Sequence, residues 1–126
     1  MISGVGTDVV DVGRFRNLSR KEEFLEQVFT PRERERACTH REEGELYATM
    51  FAIKEALLKA LGCGLTAGSL WKDVQITKEW NIDLTGPLDR LAKERFISTI
   101  HVAHAHSNNT AVAFVVLETN REDDNS

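Results

Sequence analysis

The most regular pattern in the chain is an apolar repeat at helical spacing between residues 44 and 61. It consists of Leu46, Met50, Ile53, Leu57, Ala60 and Leu61, and positions three or four apart share one face of a helix. The apolar arc is widened by Tyr47, Phe51 and Leu58, so the pattern predicts a helix that is buried on most of its sides. The strip that remains holds Ala48, Ala52, Glu55 and Lys59. Gly62 follows and is predicted to end the helix.

Shorter patterns predict the other elements. Thr30-Pro31-Arg32-Glu33 carries a capping threonine, a proline at the first helical position and a glutamate three residues after the cap, which predicts a helix over 31–38. The apolar positions between 14 and 28 fit short helical turns. Strands are predicted at 2–12, with a kink at its glycines, and at 74–77, 97–106 and 111–118. A turn is predicted at 84–88 and a short helix at 88–94.

Length and composition narrow the class of protein. A chain of 126 residues suits a single domain; we expect it over 1–118, with a polar, disordered tail over 119–126. No signal-like segment begins the chain, and its longest apolar run, 111–117, is too short to cross a bilayer. The expectation is therefore a cytoplasmic protein without membrane contact. Cys38 and Cys63 form no CxxC pair and are predicted to be reduced thiols.

The charges are unevenly distributed. The net charge of −4 is a poor match for a nucleic-acid-binding protein. Residues 14–41 nevertheless hold eight of the sixteen basic residues and only five acidic ones. This segment is either a docking surface for an acidic partner or a solvated face with mixed salt bridges, and the charge pattern alone does not separate the two.

Two carboxylates are the first candidates for chemistry. Asp8 ends the segment Gly4-Val-Gly-Thr-Asp8, which lacks the third glycine of a dinucleotide-binding fingerprint. Glu55 and Lys59 lie one turn apart, a spacing that most often forms a simple helical ion pair. A carboxylate on a mostly buried helix also needs a partner, which is a lysine, a water cavity or a metal ion. Two carboxylates together with phosphate oxygens would suit Mg²⁺.

Three histidines near the end of the chain are the second candidates. His104 and His106 lie on one face of the predicted strand and His101 on the other. An HxH pair can bind zinc, but no third ligand with suitable spacing follows. Structural histidines are therefore favoured over a zinc site.

These features occur together in one family: the sequence resembles the holo-[acyl-carrier-protein] synthases, the small 4′-phosphopantetheinyl transferases. The most specific motif is F-A-x-K-E-A-x-x-K-A-L-G, found here as Phe51-Ala-Ile-Lys-Glu-Ala-Leu-Leu-Lys-Ala-Leu-Gly62. The other matching segments, in order, are Gly4-Val-Gly-Thr-Asp8, Val28-Phe-Thr-Pro-Arg-Glu33, Trp71-Lys-Asp-Val-Gln-Ile76, Gly86-Pro87, Ala103-His-Ala-His106 and Ala111-Val-Ala-Phe-Val-Val-Leu117. The match spans residues 2 to 118.

The resemblance implies a fold, a reaction and an assembly. The fold is α+β, a small antiparallel sheet packed on a long central helix, in a homotrimer whose active sites lie between subunits. The reaction moves 4′-phosphopantetheine from coenzyme A to a serine of an apo-acyl-carrier protein and releases adenosine 3′,5′-bisphosphate. The cofactor is Mg²⁺, and the carrier protein is an acidic partner.

The resemblance also assigns roles to individual residues. Asp8 and Glu55 would hold the metal, and Glu55 is the candidate for the base that takes the serine proton. Lys59 and His106 would complete the catalytic set. Coenzyme A would be bound by Lys54, Gly62, Gly86, Pro87 and His106. The carrier protein would dock on Arg14, Arg20 and Phe24.

The chain departs from the family pattern in three places. Met50 stands where the family usually has arginine, no lysine separates Gly86 from Pro87, and Ala103 and Ala105 replace two serines. In the family these positions lie around the coenzyme A phosphates and adenosine, so their loss predicts weaker binding of coenzyme A. The alternative function is a homologue that binds carrier protein or coenzyme A without transferring the group.

Overall fold

The computed structural model describes residues 1–18, 21–63 and 71–120, with the side chain of residue 18 outside the description. In chain order the elements are β1 (Ile2–Asp11), α1 (Val12–Leu18), α2 (Glu22–Val28), α3 (Pro31–Cys38), α4 (Glu43–Ala60), β2 (Val74–Ile76), β3 (Ile82–Leu84), α5 (Gly86–Glu94), β4 (Ile97–His106) and β5 (Thr110–Thr119). The predicted tail overlaps β5 at Thr119, and the rest of it from residue 121 lies outside the described residues. No helix among the described residues is long and apolar enough to cross a membrane.

Two small antiparallel sheets flank the long helix. The larger has the strand order β1-β5-β4, and the smaller is the β2-β3 hairpin. One face of the larger sheet packs on α4, which buries alternate residues such as Val10, Ala111 and Val115. Helix α4 is buried along most of its length, as its wide apolar arc predicts. The small antiparallel sheet packed on this long helix confirms the α+β fold that the resemblance implies.

Two glycines bring β1 against the backbone of α4. A Cβ atom at Gly4 would overlap the carbonyl oxygen of Ala60, and one at Gly6 would overlap the carbonyl oxygen of Ala56. The register of β1 on β5 is irregular only between Ile2 and Gly4. The glycines thus serve mainly to allow close approach of strand and helix, rather than the kink that their spacing predicts.

The helix starts show where local sequence is decisive. The capping box is formed as predicted: the Glu33 amide donates to Thr30 Oγ1, and the Thr30 amide donates to Glu33 Oε1. Helix α5 begins at Gly86, two residues before the predicted start, because Pro87 suits the first turn of a helix. Gly86 itself has a φ of +58°, which glycine adopts without strain. Strand β3 was missed by the sequence patterns, because three residues paired to β2 are too few to show alternation.

Candidate functional site

The structure brings Asp8, Glu55 and Lys59 together at the β1 edge of the larger sheet. Lys59 Nζ lies 2.9 Å from Asp8 Oδ1 and also donates to the carbonyl oxygen of Thr7 at 3.0 Å. Asp8 lies on the α4 side of β1, and its side chain is only 15% exposed. Glu55 lies one turn before Lys59 and interacts electrostatically with both. Lys59 therefore pairs with the distant Asp8, and the simple helical pair with Glu55 is not its main contact.

Burial is the main cause that raises the pKa of the Glu55 carboxyl, and the negative charge of Asp8 adds to it. Lys59 opposes these effects. The Trp71 indole N–H also lowers the pKa of the Glu55 carboxyl. This N–H group is buried, and its distance and angle to each described residue fall outside those of a hydrogen bond. The site thus carries more negative charge than the neighbouring ammonium group offsets.

The excess of negative charge at Asp8 and Glu55 bears on whether a divalent cation fits between them. Two carboxylates supply hard oxygen donors, and a cation between them would relieve the repulsion that raises the Glu55 pKa. No group of three or more His, Cys, Asp or Glu ligands occurs in the described part of the chain. Mg²⁺ commonly keeps several waters and binds through one or two carboxylates plus substrate phosphate, so the pair fits this ion.

Lys54 has a different environment from the one expected for a coenzyme contact. Its side chain is fully buried, and its ammonium group lies 2.8 Å from Glu33 Oε1. It also donates to the carbonyl oxygens of Val28, Trp71 and Val74. Burial lowers the pKa of Lys54, and the Glu33 carboxylate opposes part of that shift. Lys54 thus joins α4 to the segment before α3 and to the segment around β2. Contact of Lys54 with coenzyme A stays a prediction.

The three histidines have separate partners. His106 Nε2 lies 3.0 Å from Glu45 Oε1. Glu45 is near the start of α4, nearly three turns before Glu55. His101 Nε2 lies 2.9 Å from Glu118 Oε1 on the other face of the sheet. The His104 ring packs on Trp80 with ring centroids 4.2 Å apart. His106 is therefore held beside a carboxylate of its own subunit rather than beside Asp8.

Three further residues that the resemblance assigns to coenzyme A binding lie at helix ends: Gly62, Gly86 and Pro87. Gly62 has a φ of +73° and follows α4, and the Cys63 amide donates to the Leu58 carbonyl oxygen in the manner of a Schellman motif. A Cβ atom at Gly86 would lie 3.1 Å from Asp73 Oδ1, and the other carboxylate oxygen, Asp73 Oδ2, accepts from the Leu88 amide. Gly86 and Pro87 thus set the start of α5 over Asp73. Contact of these three residues with coenzyme A stays a prediction.

The basic segment is divided by an acidic helix. Arg14 is exposed on α1, directly after β1, whereas the exposed residues of α2 include Glu22, Glu23 and Glu26. Phe24 is partly buried and packs on Phe15 and Phe51. Arg20 lies outside the described residues. The surface is therefore basic on the side of α1, with an aromatic residue at its border.

Arg36 and Trp80 were not singled out by the sequence, and the structure places Arg36 beside Met50. Arg36 Nη2 lies 3.2 Å from Met50 Sδ and donates to the Ile76 carbonyl oxygen at 3.1 Å. Its guanidinium group stands 5.6 Å from the centroid of the Trp80 ring. Nothing in the spacing of Arg36, Trp80 and His104 predicts that they meet, because they come from α3, the β2–β3 turn and β4.

Comparisons with known proteins show which family the chain resembles. A family model described as the 4′-phosphopantetheinyl transferase superfamily matches residues 4–115. The chain is 38% identical over 124 residues to a holo-[acyl-carrier-protein] synthase of Geotalea daltonii, covering 94% of this chain and 99% of that protein. The crystal structure of the synthase from Neisseria meningitidis superposes with a TM-score of 0.79 at 31% identity, covering 94% of this chain and all of that one.

A synthase from Bacillus anthracis, solved in complex with CoA (3′,5′-ADP), superposes with a TM-score of 0.71 at 29% identity, covering 95% of this chain and 99% of that one. These matches extend over nearly the full length of each chain, and they include the strand that carries Asp8 and the helix that carries Glu55 and Lys59. The chain belongs to the 4′-phosphopantetheinyl transferase superfamily.

Proposed function

We propose that the chain is a holo-[acyl-carrier-protein] synthase that transfers 4′-phosphopantetheine from coenzyme A to a serine hydroxyl of an apo-acyl-carrier protein. The other product would be adenosine 3′,5′-bisphosphate. The observation that carries the proposal is the meeting of Asp8, Glu55 and Lys59 at one edge of the sheet. The similar synthases, one of them solved with CoA (3′,5′-ADP), support the choice of substrates.

Each residue of the cluster has a use in this reaction. The raised pKa makes Glu55 a stronger base than an exposed glutamate, so it is suited to take the proton of the attacking serine. Lys59 keeps its ammonium group at the exposed side of Asp8, where it can stabilise negative charge on the phosphates. Asp8 and Glu55 would hold Mg²⁺. When bound, the ion would neutralise charge on the pyrophosphate.

Mass spectrometry tests the proposal directly. An apo-acyl-carrier protein is incubated with the chain, coenzyme A and Mg²⁺, and we expect the carrier to gain the mass of one phosphopantetheine group. Replacement of the target serine by alanine in the carrier should abolish the gain. Tight binding of coenzyme A with no transfer to any carrier of a varied panel would instead favour the non-catalytic alternative.

Titration of the metal-free chain should report the state of Glu55. Because burial and the charge of Asp8 raise its pKa, the Glu55 carboxyl group should titrate above the pH at which an exposed glutamate does. Asp8→Asn should lower the Glu55 pKa, since it removes a negative charge, and Lys59→Met should raise it further. The ¹³C shift of the Glu55 carboxyl group measures this titration independently of activity. An unchanged Glu55 titration in both variants would contradict this account, and Asp89→Asn serves as the control.

Docking of the carrier should depend on Arg14. The proposed carrier protein is acidic, and Arg14 is exposed on α1, directly after β1. Arg14→Glu should raise KM for the carrier and weaken its dependence on salt, while the affinity for coenzyme A stays unchanged. Arg90→Glu on α5 makes the same charge change and should leave KM for the carrier unaltered. An equal rise of KM in both variants would show that the carrier responds to the net charge of the chain and not to Arg14 in particular.

We propose a homotrimer in the cytoplasm, and the outer face of the larger sheet supports the contact between its subunits. The face turned away from α4 exposes Val5, Val9, Val112 and Phe114, each by between 37% and 69%. Ala103 and Ala105 extend this apolar face, because they are paired with Phe114 and Val112. Contiguous apolar surface of this kind is typical of protein–protein interfaces. The two alanines therefore have a use in assembly, and they face away from the cluster.

A further inference from the structure

The indole N–H group of Trp71 is a buried hydrogen-bond donor that has no acceptor among the described residues. The residue as a whole is only partly buried, but its Nε1 atom is shielded from solvent. A buried donor that stays unpaired is costly, because it gives up its hydrogen bond to water and gains none in exchange. Such a group in a folded chain therefore needs an explanation, and an acceptor that it meets when a ligand is bound would supply one.

Two contacts hold this indole beside Glu55. Its ring packs on the ring of Phe51 with the centroids 5.8 Å apart, and Phe51 lies one turn before Glu55 on the same flank of α4. The main-chain carbonyl oxygen of Trp71 accepts from Lys54 Nζ at 3.0 Å, and Lys54 directly precedes Glu55. Ring and main chain are thus both fixed against the part of α4 that carries the carboxylate.

The support behind Trp71 is rigid. The Lys54 ammonium group that holds its carbonyl oxygen also holds those of Val28 and Val74, and it is paired with Glu33 at 2.8 Å. A shift of Trp71 along α4 would therefore break a contact of a fully buried ion pair. Precise placement of this kind is what a functional site needs from the residues behind it.

The ammonium group near Glu55 already has other acceptors. Lys59 directs its Nζ atom to Asp8 Oδ1 at 2.9 Å and to the Thr7 carbonyl oxygen at 3.0 Å. The Trp71 N–H has no competing acceptor in the described part of the chain. It also lowers the pKa of the Glu55 carboxyl, as a donor beside an ionised carboxylate does. The indole N–H is thus the donor that is available to Glu55.

We propose that Trp71 is a positioning residue for Glu55: its indole N–H donates to one carboxylate oxygen of Glu55 when Mg²⁺ is bound, and the other oxygen is thereby kept towards Asp8. A carboxylate offers two acceptor oxygens, and a donor on one of them fixes the orientation of both. Removal of groups that orient metal ligands in this way lowers metal affinity or activity by about 10–100-fold. This inference rests on the proposed function for the identity of the metal site.

Removal of the N–H group alone tests the proposal. The chain has two tryptophans, so Trp71 is the only one left in a Trp80→Phe background. Biosynthetic replacement of tryptophan by β-(3-benzothienyl)alanine then puts sulfur in place of this one N–H group and keeps the fused-ring shape. Mn²⁺ accepts the same oxygen ligands as Mg²⁺, and EPR measures its free concentration. We expect the analogue to bind Mn²⁺ at least about 10-fold more weakly than its Trp80→Phe parent.

Trp71→Phe tests the same role by ordinary substitution. Phenylalanine keeps an aromatic ring against Phe51 and leaves the main-chain contact with Lys54 in place. The kcat for transfer should fall about 10-fold while KM for the carrier stays unchanged, because the loss lies at the metal ligands. Trp80→Phe is the matched control, since Trp80 packs on His104, and it should keep both constants and the affinity for Mn²⁺.

The indole signal gives a readout that packing alone does not move. In the Trp80→Phe chain the single indole ¹H–¹⁵N signal belongs to Trp71. Saturation with Mg²⁺ should shift its proton downfield as the hydrogen bond forms. The shift should be absent in the same chain with Asp8→Asn, which lacks one of the two carboxylates of the site.

An unmoved Trp71 signal with Mg²⁺ bound, parental Mn²⁺ affinity in the benzothienyl analogue, or an equal loss in Trp80→Phe would overturn the proposal. Weaker Mn²⁺ binding by the analogue, in a chain that transfers nothing to any carrier, would leave the role of Trp71 standing and reject only the proposed function. Normal transfer together with normal Mn²⁺ affinity in the analogue would keep the proposed function and reject the role of Trp71.

Discussion

Glu55→Gln is expected to lower kcat/KM for transfer by about 10²–10⁴-fold, the range over which a positioned general base contributes. Glutamine keeps the size of the side chain but accepts no proton and is a poor ligand for Mg²⁺. The loss should appear in kcat with saturating carrier protein, because the missing interaction belongs to the reacting centre. Stopped assays with a radiolabelled or fluorescent coenzyme A measure it.

The Tm of Glu55→Gln should not fall with its activity. The raised pKa means that the ionised Glu55 carboxylate is less favourable in the folded chain than in water. Its replacement by a neutral group should therefore leave Tm unchanged or raise it slightly at neutral pH. Glu94→Gln, at the end of α5, is the control and should affect neither activity nor Tm. Near-normal turnover in Glu55→Gln would reject the proposed two-carboxylate site.

Lys54→Met is expected to produce the largest loss of stability of any single change considered, about 3–5 kcal/mol. The substitution leaves the Glu33 carboxylate buried without its cation, and three carbonyl oxygens lose their shared donor. Urea denaturation measures the difference. The double variant with Glu33→Gln should recover part of the loss, because it removes the unpaired charge and keeps the cap of α3.

Lys93→Met is the matched control for this prediction. Lys93 also forms an ion pair, with Asp89 at 2.9 Å, but its side chain is 76% exposed. Exposed pairs contribute about 0–1 kcal/mol, so the control should change stability little. A loss of less than about 1 kcal/mol in Lys54→Met would show that the core accommodates the isolated Glu33, in conflict with the expected cost of an unpaired buried charge.

The sequence was most informative where local rules apply. The extent of α4 follows from its apolar repeat, and the cap at Thr30 follows from residue types at fixed spacing. The family motifs led to Asp8, Glu55 and Lys59, and the fold brings these three together across 51 residues of chain between Asp8 and Lys59. Side-chain partners formed between distant elements could not be predicted in this way.

Lys54 and Arg36 illustrate why. Both are basic residues on helices, and their own sequence neighbours do not distinguish a surface charge from a buried one. The burial of Lys54 depends on three carbonyl groups from outside α4, and the position of Arg36 depends on a hairpin formed forty residues later. Such contacts are tertiary, so neither periodicity nor motif spacing contains them.

The glycine pair of β1 has a consequence for ion selectivity. Because Gly4 and Gly6 let strand and helix backbones touch, the distance between Asp8 and α4 is fixed by main-chain atoms rather than by flexible side chains. A bulkier residue at either position would push the strand outward and widen the gap between the carboxylates. Calcium has oxygen distances of about 2.3–2.6 Å, against about 2.0–2.1 Å for magnesium. The preference of the proposed site for the smaller ion would thus be set by two positions that bear no side chain at all.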